Sequence, residues 1–391
     1  MSTERPPYRL IKFDVIHPRE WLRAKQAAHP DLDALDIFAY RDWLNGLASN
    51  YSDFYTHYLN QLDEWEAEEY YLLDPVFVDK MADYLYGPVR RALLRLRAGL
   101  KQALGHGTRN WADQVLRDYV RRRDPDVLFV RSQPRPSRFW RQFSPRSLLV
   151  ARLSARLPDQ WHPNDFDLIY TDQLDFKTFF ELHGTPTILN KQGFDPRVAG
   201  RLVMDRPKRG VVFVGGVGTQ NFSQRTEFLE ALAAALGSEF RWWGYFWEYG
   251  GDGRTLADFP ALAATFQGPT SGLEMYQLYH DALVVVNDYV DTANGIGFNQ
   301  RMFEVMGAGG FLLTRAAPNF AKDFEAGLFA TYTDLESCLT QIAYYRTHPE
   351  KRQLTADRGQ RYVWNHYGYP EISRAFAADL EKQLRSRGTS E

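Results

Sequence analysis

From about residue 125 onward, short apolar runs alternate with segments of helical periodicity. "PDVLFV" (125–130), "SLLVARLS" (147–154) and "FDLIYTD" (166–172) are bounded runs of strand length; "FKTFFELHG" (176–184) reads as a helix closed by glycine before "TPTILN". A second series repeats the alternation: strand "GVVFVGG" (210–216), helix "QRTEFLEALAAALG" (224–237), strand "FRWWGY" (240–245), helix "GLEMYQLYHDA" (272–282) and strand "LVVVN" (283–287). This pattern predicts two parallel α/β units in succession. "KQGFDPRVAGRLVMDRPKRG" (191–210), rich in Gly, Pro and charge, reads as the linker between them. Residues 1 to 120 read as mainly helical, and "YPEISRAFAADLEKQLRSRG" reads as a final helix.

After the second series comes "GIGFNQRMFEVMGAGGFLLT" (295–314). On a helical wheel Phe298, Met302, Val305 and Met306 gather on one face, with Gly297, Arg301, Glu304 and Ala308 opposite. Gly307, Gly309 and Gly310 then end the helix before a buried strand at Phe311–Thr314. The first face is core. The second carries two charges flanked by residues too small to cover them, which fits either a solvated i, i+3 pair or a ligand site.

A chain of 391 residues exceeds the usual limit of one core, which favours two domains. A net charge of −2 gives no overall nucleic-acid signature, and a single cysteine, Cys338, excludes an intrachain disulfide or a cysteine metal cluster. The start has charges and prolines where a signal peptide needs an apolar run, and no stretch of about 18 apolar residues occurs, so a cytoplasmic protein is expected. Charge is uneven along the chain. Residues 1–87 are acidic, with "DEWEAEEYY" at 63–71, and 88–156 are basic. Arg90, Arg91, Arg95, Arg97 and Lys101 alternate with Leu93, Leu94, Leu96 and Leu100, a basic amphipathic helix suited to an anionic membrane surface, an anionic substrate or plain solvent.

Two doubly wound units hold ligands at the carboxyl ends of their strands. After "VVFV", "GGVGTQNFSQR" offers Gly215, Gly216 and Gly218, whose missing side chains let backbone N–H groups close on an anion. The turn lacks the Gly-Lys-Ser/Thr ending of a P-loop and the full dinucleotide fingerprint, which disfavours a nucleotide triphosphatase or a dehydrogenase.

The 295–314 segment closely resembles the signature of CgeB-like glycosyltransferases, a family of the GT-B fold. "LVVVND" before it, "YYRTHPEKRQLTADRGQRYVWNHYGYPEI" after it and "VVFVGGVGTQNFSQR" upstream resemble the family's donor-binding half, and "PDVLFV" with "FDLIYTDQLDFKTFFELHGTPTILNKQGFDP" resembles its N-terminal half. The resemblance covers about residues 120–376. It implies a GT-B architecture of two doubly wound Rossmann-like domains facing a central cleft, with a helical lead-in over about 1–120. The implied division is an acceptor-side domain at 1–195, a nucleotide-sugar-binding domain at 196–370 and a crossover helix at 371–391.

The implied activity is transfer of a sugar from a nucleotide-diphosphate donor to a glycan, lipid-linked or other acceptor in cell-surface polysaccharide biosynthesis. The donor is a co-substrate and no other cofactor is expected. Arg301 would neutralise the departing diphosphate and Glu304 would accept hydrogen bonds from the ribose hydroxyls. Asn287 and Asn299 match the family pattern, and Arg225 would reach the phosphates, with a surface salt bridge as its alternative role. Many retaining relatives carry a second glutamate eight residues before the first; here that position is Ile296. No metal is expected, since arginines and helix dipoles replace the cation and the acidic "DLD" at 31–33 reads as surface. A base for an inverting reaction would come from Asp14, His17, His162, Asp172 or His183, and a retaining reaction can dispense with one. A non-catalytic nucleotide-sugar or glycan binder, or a nucleotide-sugar epimerase on the same fold, are the alternatives.

Overall fold

Strand registers account for how the two series are wound. The computed structural model describes residues 7–103, 111–131, 137–153, 163–190, 192–219, 222–247, 253–291 and 297–388. Among them β1 (Tyr8–Asp14), β2 (Trp65–Tyr71), β3 (Val127–Val130), β4 (Leu148–Arg152), β5 (Leu168–Thr171) and β6 (Thr187–Leu189) form one sheet in the order β2-β1-β3-β4-β5-β6. A second sheet takes β7 (Arg209–Gly218), β8 (Phe240–Trp247), β9 (Ala282–Asn287), β10 (Leu312–Arg315) and β11 (Ala330–Tyr332) in the order β11-β10-β9-β7-β8. Every pairing within both sheets is parallel. In each sheet the first strand is followed by one neighbour on one side and the next on the other. That reversal, between β1 and β3 and between β7 and β9, is where a doubly wound sheet opens a crevice.

The chain divides into two compact units. The first comprises Met1–Ile16, Lys25–Lys191 and Ile372–Glu391; the second comprises His17–Ala24 and Gln192–Glu371. Helix Tyr369–Gly388 gives most of its length to the first unit. There Phe376 packs against Tyr55, Phe129 and Tyr170, with ring centroids 4.7 to 5.2 Å apart, and Tyr170 donates to Asp379 at 3.1 Å.

Two expectations change. The first 120 residues are not only helical, because β1 and β2 lie within them and β1 sits inside the sheet. Their charges hid them. Lys12 and Asp14 on β1 are fully buried as an ion pair at 2.9 Å, and on the edge strand β2 Glu68 is held by Arg41 and Arg123, each at 2.7 Å. Nor is the stretch after 191 a free linker. Phe194, Val198 and Leu202 are buried in the second unit, and Asp195, fully buried, caps helix Pro196–Ala199 by accepting from the Arg197 amide.

The second unit's core lies between β7, β8, β9 and the helices of one sheet face, with Val211, Phe213, Trp242, Val284, Val286 and Leu313 meeting Leu229 and Leu232 of helix Ser223–Leu236. At its rim β7 and β8 approach closely, where Gly215 pairs with Gly244. A Cβ on Gly244 would stand 2.0 Å from the Gly215 carbonyl oxygen, a backbone atom that cannot swing aside. Gly244→Ala is therefore expected to destabilise this unit by about 1–3 kcal/mol, the usual range for overpacking. Denaturant unfolding checks this, and an unchanged midpoint contradicts it.

Candidate functional site

The helix Gln300–Gly307 is fixed at its start by two asparagines. The Asn299 side chain caps it by accepting from the Met302 amide at 3.3 Å, and its amide donates to Asn287 Oδ1 at 3.0 Å and to the Asp288 carbonyl at 3.4 Å. Asn287, fully buried at the end of β9, donates in turn to Thr314 on β10 at 2.9 Å. Both side chains are thus placed as scaffold, tying the helix start to the carboxyl ends of β9 and β10. Met302 to Gly307 are all buried, so the face carrying Glu304 is not solvated. Tyr276 and Tyr279 of helix Gly272–Asp281, both buried, border that face.

Arg301 reaches from this helix to β7. Its Nη1 lies 2.7 Å from where a Gly215 Cβ would be, so glycine is what lets the guanidinium rest on the strand. Its Nε donates to the Tyr279 hydroxyl at 3.1 Å, and its guanidinium stands 5.4 Å from the Phe213 ring centroid. Arg225, from helix Ser223–Leu236, is 5% exposed and lies 5.7 Å from the same ring and 4.4 Å from that of Phe222. It donates to the Gly216 carbonyl and, at 3.5 Å, to that of Asp288, while its buried Nε has no hydrogen-bond partner. Burial, with Arg301 next, pushes its pKa down to about 10.

Neither guanidinium forms an ion pair with a carboxylate among the described residues. The Asp288 carboxylate is taken by Arg315, whose Nε and Nη2 donate at 2.7 and 2.8 Å, and Asp291 accepts from Ser223 at the start of Arg225's helix, at 2.8 Å. Two neighbouring cations, one deeply buried, thus hydrogen-bond only to neutral acceptors among the described residues. Such an arrangement is costly until a dianion fills it, and planar guanidiniums suit phosphate. Glu304, one turn beyond Arg301 and 4% exposed, has its pKa raised to about 7 by burial, against the lowering effects of Arg301 and of hydrogen bonds from Gln300 and Tyr279.

The remaining candidates are scattered. Asp14 ends β1, with Lys12 Nζ at 2.9 Å and Arg131 Nη1 at 3.6 Å from its Oδ2. Lys12 also donates to the carbonyls of Tyr51 and Ser52. Asp172, half-buried, follows β5, three strand spacings or roughly 14 Å along the sheet from β1. His183 is exposed at the end of helix Leu174–Leu182, its Nδ1 2.8 Å from the Phe179 carbonyl. A crossover helix runs back against its strands, which puts His183 at the amino edge of the sheet, opposite the crevice. His17 is half-buried and belongs to the second unit. His162 and Ile296 lie outside the described residues.

Gly216 and Gly218 make room for aromatic neighbours. A Cβ on Gly216 would be 2.8 Å from the Tyr245 ring, and one on Gly218 would be 2.7 Å from the Trp247 carbonyl oxygen. The sequence reading missed Tyr245, Trp247, Gly244 and Tyr279. The alternating aromatics of "FRWWGYFW" at 240–247 were the available signal. Among the described residues no group of three or more His, Cys, Asp or Glu could hold a metal ion, and no helix is long and apolar enough to cross a membrane.

These two doubly wound units define a GT-B fold. Residues 224–378 match the family model described as glycosyl transferase-like, a span that includes Arg225, Arg301 and Glu304. The whole chain is similar to solved structures of that fold. An α,α-trehalose-phosphate synthase (UDP-forming) from Burkholderia vietnamiensis is 11% identical with a TM-score of 0.54, over 96% of this chain and 100% of that one. Anabaena Alr3699/HepE in complex with UDP-glucose is 12% identical with a TM-score of 0.52, over 96% and 99%. A putative UDP-N-acetylglucosamine 2-epimerase from Listeria monocytogenes is 10% identical with a TM-score of 0.51, over 97% of each chain. No curated protein matches the chain by sequence.

Proposed function

We propose that the protein is a metal-independent glycosyltransferase of the CgeB-like kind, moving a sugar from a nucleoside-diphosphate donor to a glycan, lipid-linked or other acceptor. The observation that carries this reading is the Arg225–Arg301 pair on Phe213, with Arg301 set against Gly215 and neither guanidinium in an ion pair with a carboxylate among the described residues. In the reaction the bond from the anomeric carbon to the phosphate oxygen breaks, and one to the acceptor oxygen forms. The electron pair of the broken bond goes to the diphosphate, whose added charge the two guanidiniums meet. The acceptor proton leaves to a base or to the departing phosphate. Glu304 accepts hydrogen bonds from the donor's ribose.

The likeness to a synthase and to an epimerase alike makes product analysis the decisive test. Thermal shift against UDP-, GDP-, dTDP- and CDP-sugars identifies the donor, since a ligand at 100 times its dissociation constant stabilises by about 2.7 kcal/mol. Nucleoside diphosphate released with acceptor present supports transfer. A sugar converted without acceptor supports the epimerase reading, and binding without turnover supports a binding protein.

Peripheral contact with an anionic membrane belongs to the same proposal, and the structure changes which residues would make it. On helix Pro88–Ala103, Arg91 and Arg95 turn back to Asp83 and Asp79 at 2.7 and 3.0 Å. Val89, Leu93 and Leu96, spaced along one face, are 76%, 58% and 62% exposed. Exposed apolar side chains beside Arg90 are the better anchor. Leu93→Asp with Leu96→Asp is expected to abolish binding to phosphatidylserine vesicles at low salt and to leave donor binding intact. Wild-type protein that ignores such vesicles contradicts the contact.

A further inference from the structure

Beside the paired guanidiniums lies a surface that no step above uses. β8 ends in Tyr245, Phe246 and Trp247. Phe246 packs against the core, and the residues on either side of it stay 42% and 43% exposed. Their rings are neighbours, with centroids 6.2 Å apart and planes inclined by 58°.

Their placement follows from the glycines of β7. Tyr245 pairs with Gly216 and Trp247 with Gly218. The Tyr245 ring lies so close over Gly216 that a Cβ there would meet ring atoms at 2.8 Å and the hydroxyl at 3.0 Å. The preceding residue, Gly215, carries the Arg301 guanidinium in the same manner. Two consecutive glycines thus seat a cation and an aromatic ring at the same end of β7, and the Tyr245 hydroxyl interacts electrostatically with both Arg225 and Arg301.

We infer that Tyr245 and Trp247 form an aromatic shelf for the donor's nucleobase, one ring stacking on its face and the other meeting its edge, near the guanidiniums that take its diphosphate. This rests on the donor-site reading and adds to it which residues grip the base. A nucleoside diphosphate joins a planar ring to an anionic group through one ribose, and the shelf offers a π-face beside an anion site. Stacking on an aromatic face tolerates different bases, so the shelf contributes affinity more than choice of base.

The test compares inorganic pyrophosphate, UDP, GDP, dTDP and CDP, and the UDP-, GDP-, dTDP- and CDP-sugars, by calorimetry on wild type, Tyr245→Leu, Trp247→Leu and Tyr245→Phe. The leucine variants keep apolar volume at exposed positions, and circular dichroism melts confirm that they fold. For the diphosphate that wild type binds best, each leucine variant is expected to lose about tenfold to a hundredfold in affinity. Pyrophosphate affinity should stay unchanged, and Tyr245→Phe should stay near wild type. Unchanged diphosphate affinity in both leucine variants overturns the shelf. So does a loss seen only with the nucleotide sugar and not with its diphosphate, which would put the sugar on these rings. Wild-type protein that binds none of the ligands overturns the donor-site reading itself, an outcome separate from failure of the shelf.

Discussion

Replacing Arg301 by alanine is expected to lower turnover by about 10²- to 10³-fold, the loss typical of removing one preorganised group from a developing anion. The group is preorganised. Its Nε is held by the Tyr279 hydroxyl and its plane by Phe213 and the bare backbone of Gly215, so little rearrangement is left for the moment of bond cleavage. Charge on the diphosphate grows as the glycosidic bond breaks, which makes the loss larger in kcat than in donor binding. Arg301→Lys keeps the charge but loses the planar fork, and should fall between alanine and wild type. Initial rates of nucleoside diphosphate release at saturating donor decide it. A loss confined to ground-state affinity contradicts the leaving-group role.

Glu304→Gln should reshape the dependence of stability on pH. In the folded chain this carboxyl titrates near pH 7, raised first by burial, whereas in the unfolded chain it titrates near the ordinary 4.5. Between those values the folded state keeps a proton that the unfolded state has released. Stability therefore falls as pH rises through that window; the cost is absent below about 4.5 and complete above about 7. Its size is about 3 kcal/mol at 1.36 kcal/mol per unit. The glutamine variant lacks it, so its advantage over wild type should grow from near zero at pH 4.5 toward that amount at pH 8. Glu69, in the first unit, is likewise raised to about 7 by burial, so the difference between variant and wild type, not either profile alone, is the readout. A difference that stays constant across denaturant titrations from pH 4.5 to 8 contradicts the assignment. The same substitution should weaken donor binding, because an amide accepts fewer hydrogen bonds than a carboxylate.

The alternation of apolar runs and helical periods past residue 125 was enough to place β3 to β5, β7 to β10 and most of the helices between them, because strands buried on both faces read as unbroken Val, Ile, Leu and Phe. The short β6 and β11 and the two strands of the acid-rich start escaped that rule. On β1 and β2 the charges that suggest a solvated surface are neutralised by partners far away in sequence: Arg123 reaches Glu68, and Arg131 reaches Asp14. Composition along a segment carries no sign of such a partner.

The candidate site divides in the same way. By itself the sequence determined that Gly215, Gly216 and Gly218 follow a buried strand, that Arg301 and Glu304 share one helical face, and that two α/β units follow one another, since each depends on local periodicity or on a missing side chain. Only the tertiary structure decided that this face is buried, that Arg225 from another helix meets Arg301 over one phenylalanine ring, and that Asp288 is spent on Arg315. It also turned Asn287 and Asn299 into scaffold and brought Tyr245 over Gly216. The physical reason is one of range. Backbone propensity and periodicity act over a few residues and are written along the chain, whereas the burial of a charge, its desolvation and the identity of its partner depend on every segment that folds around it.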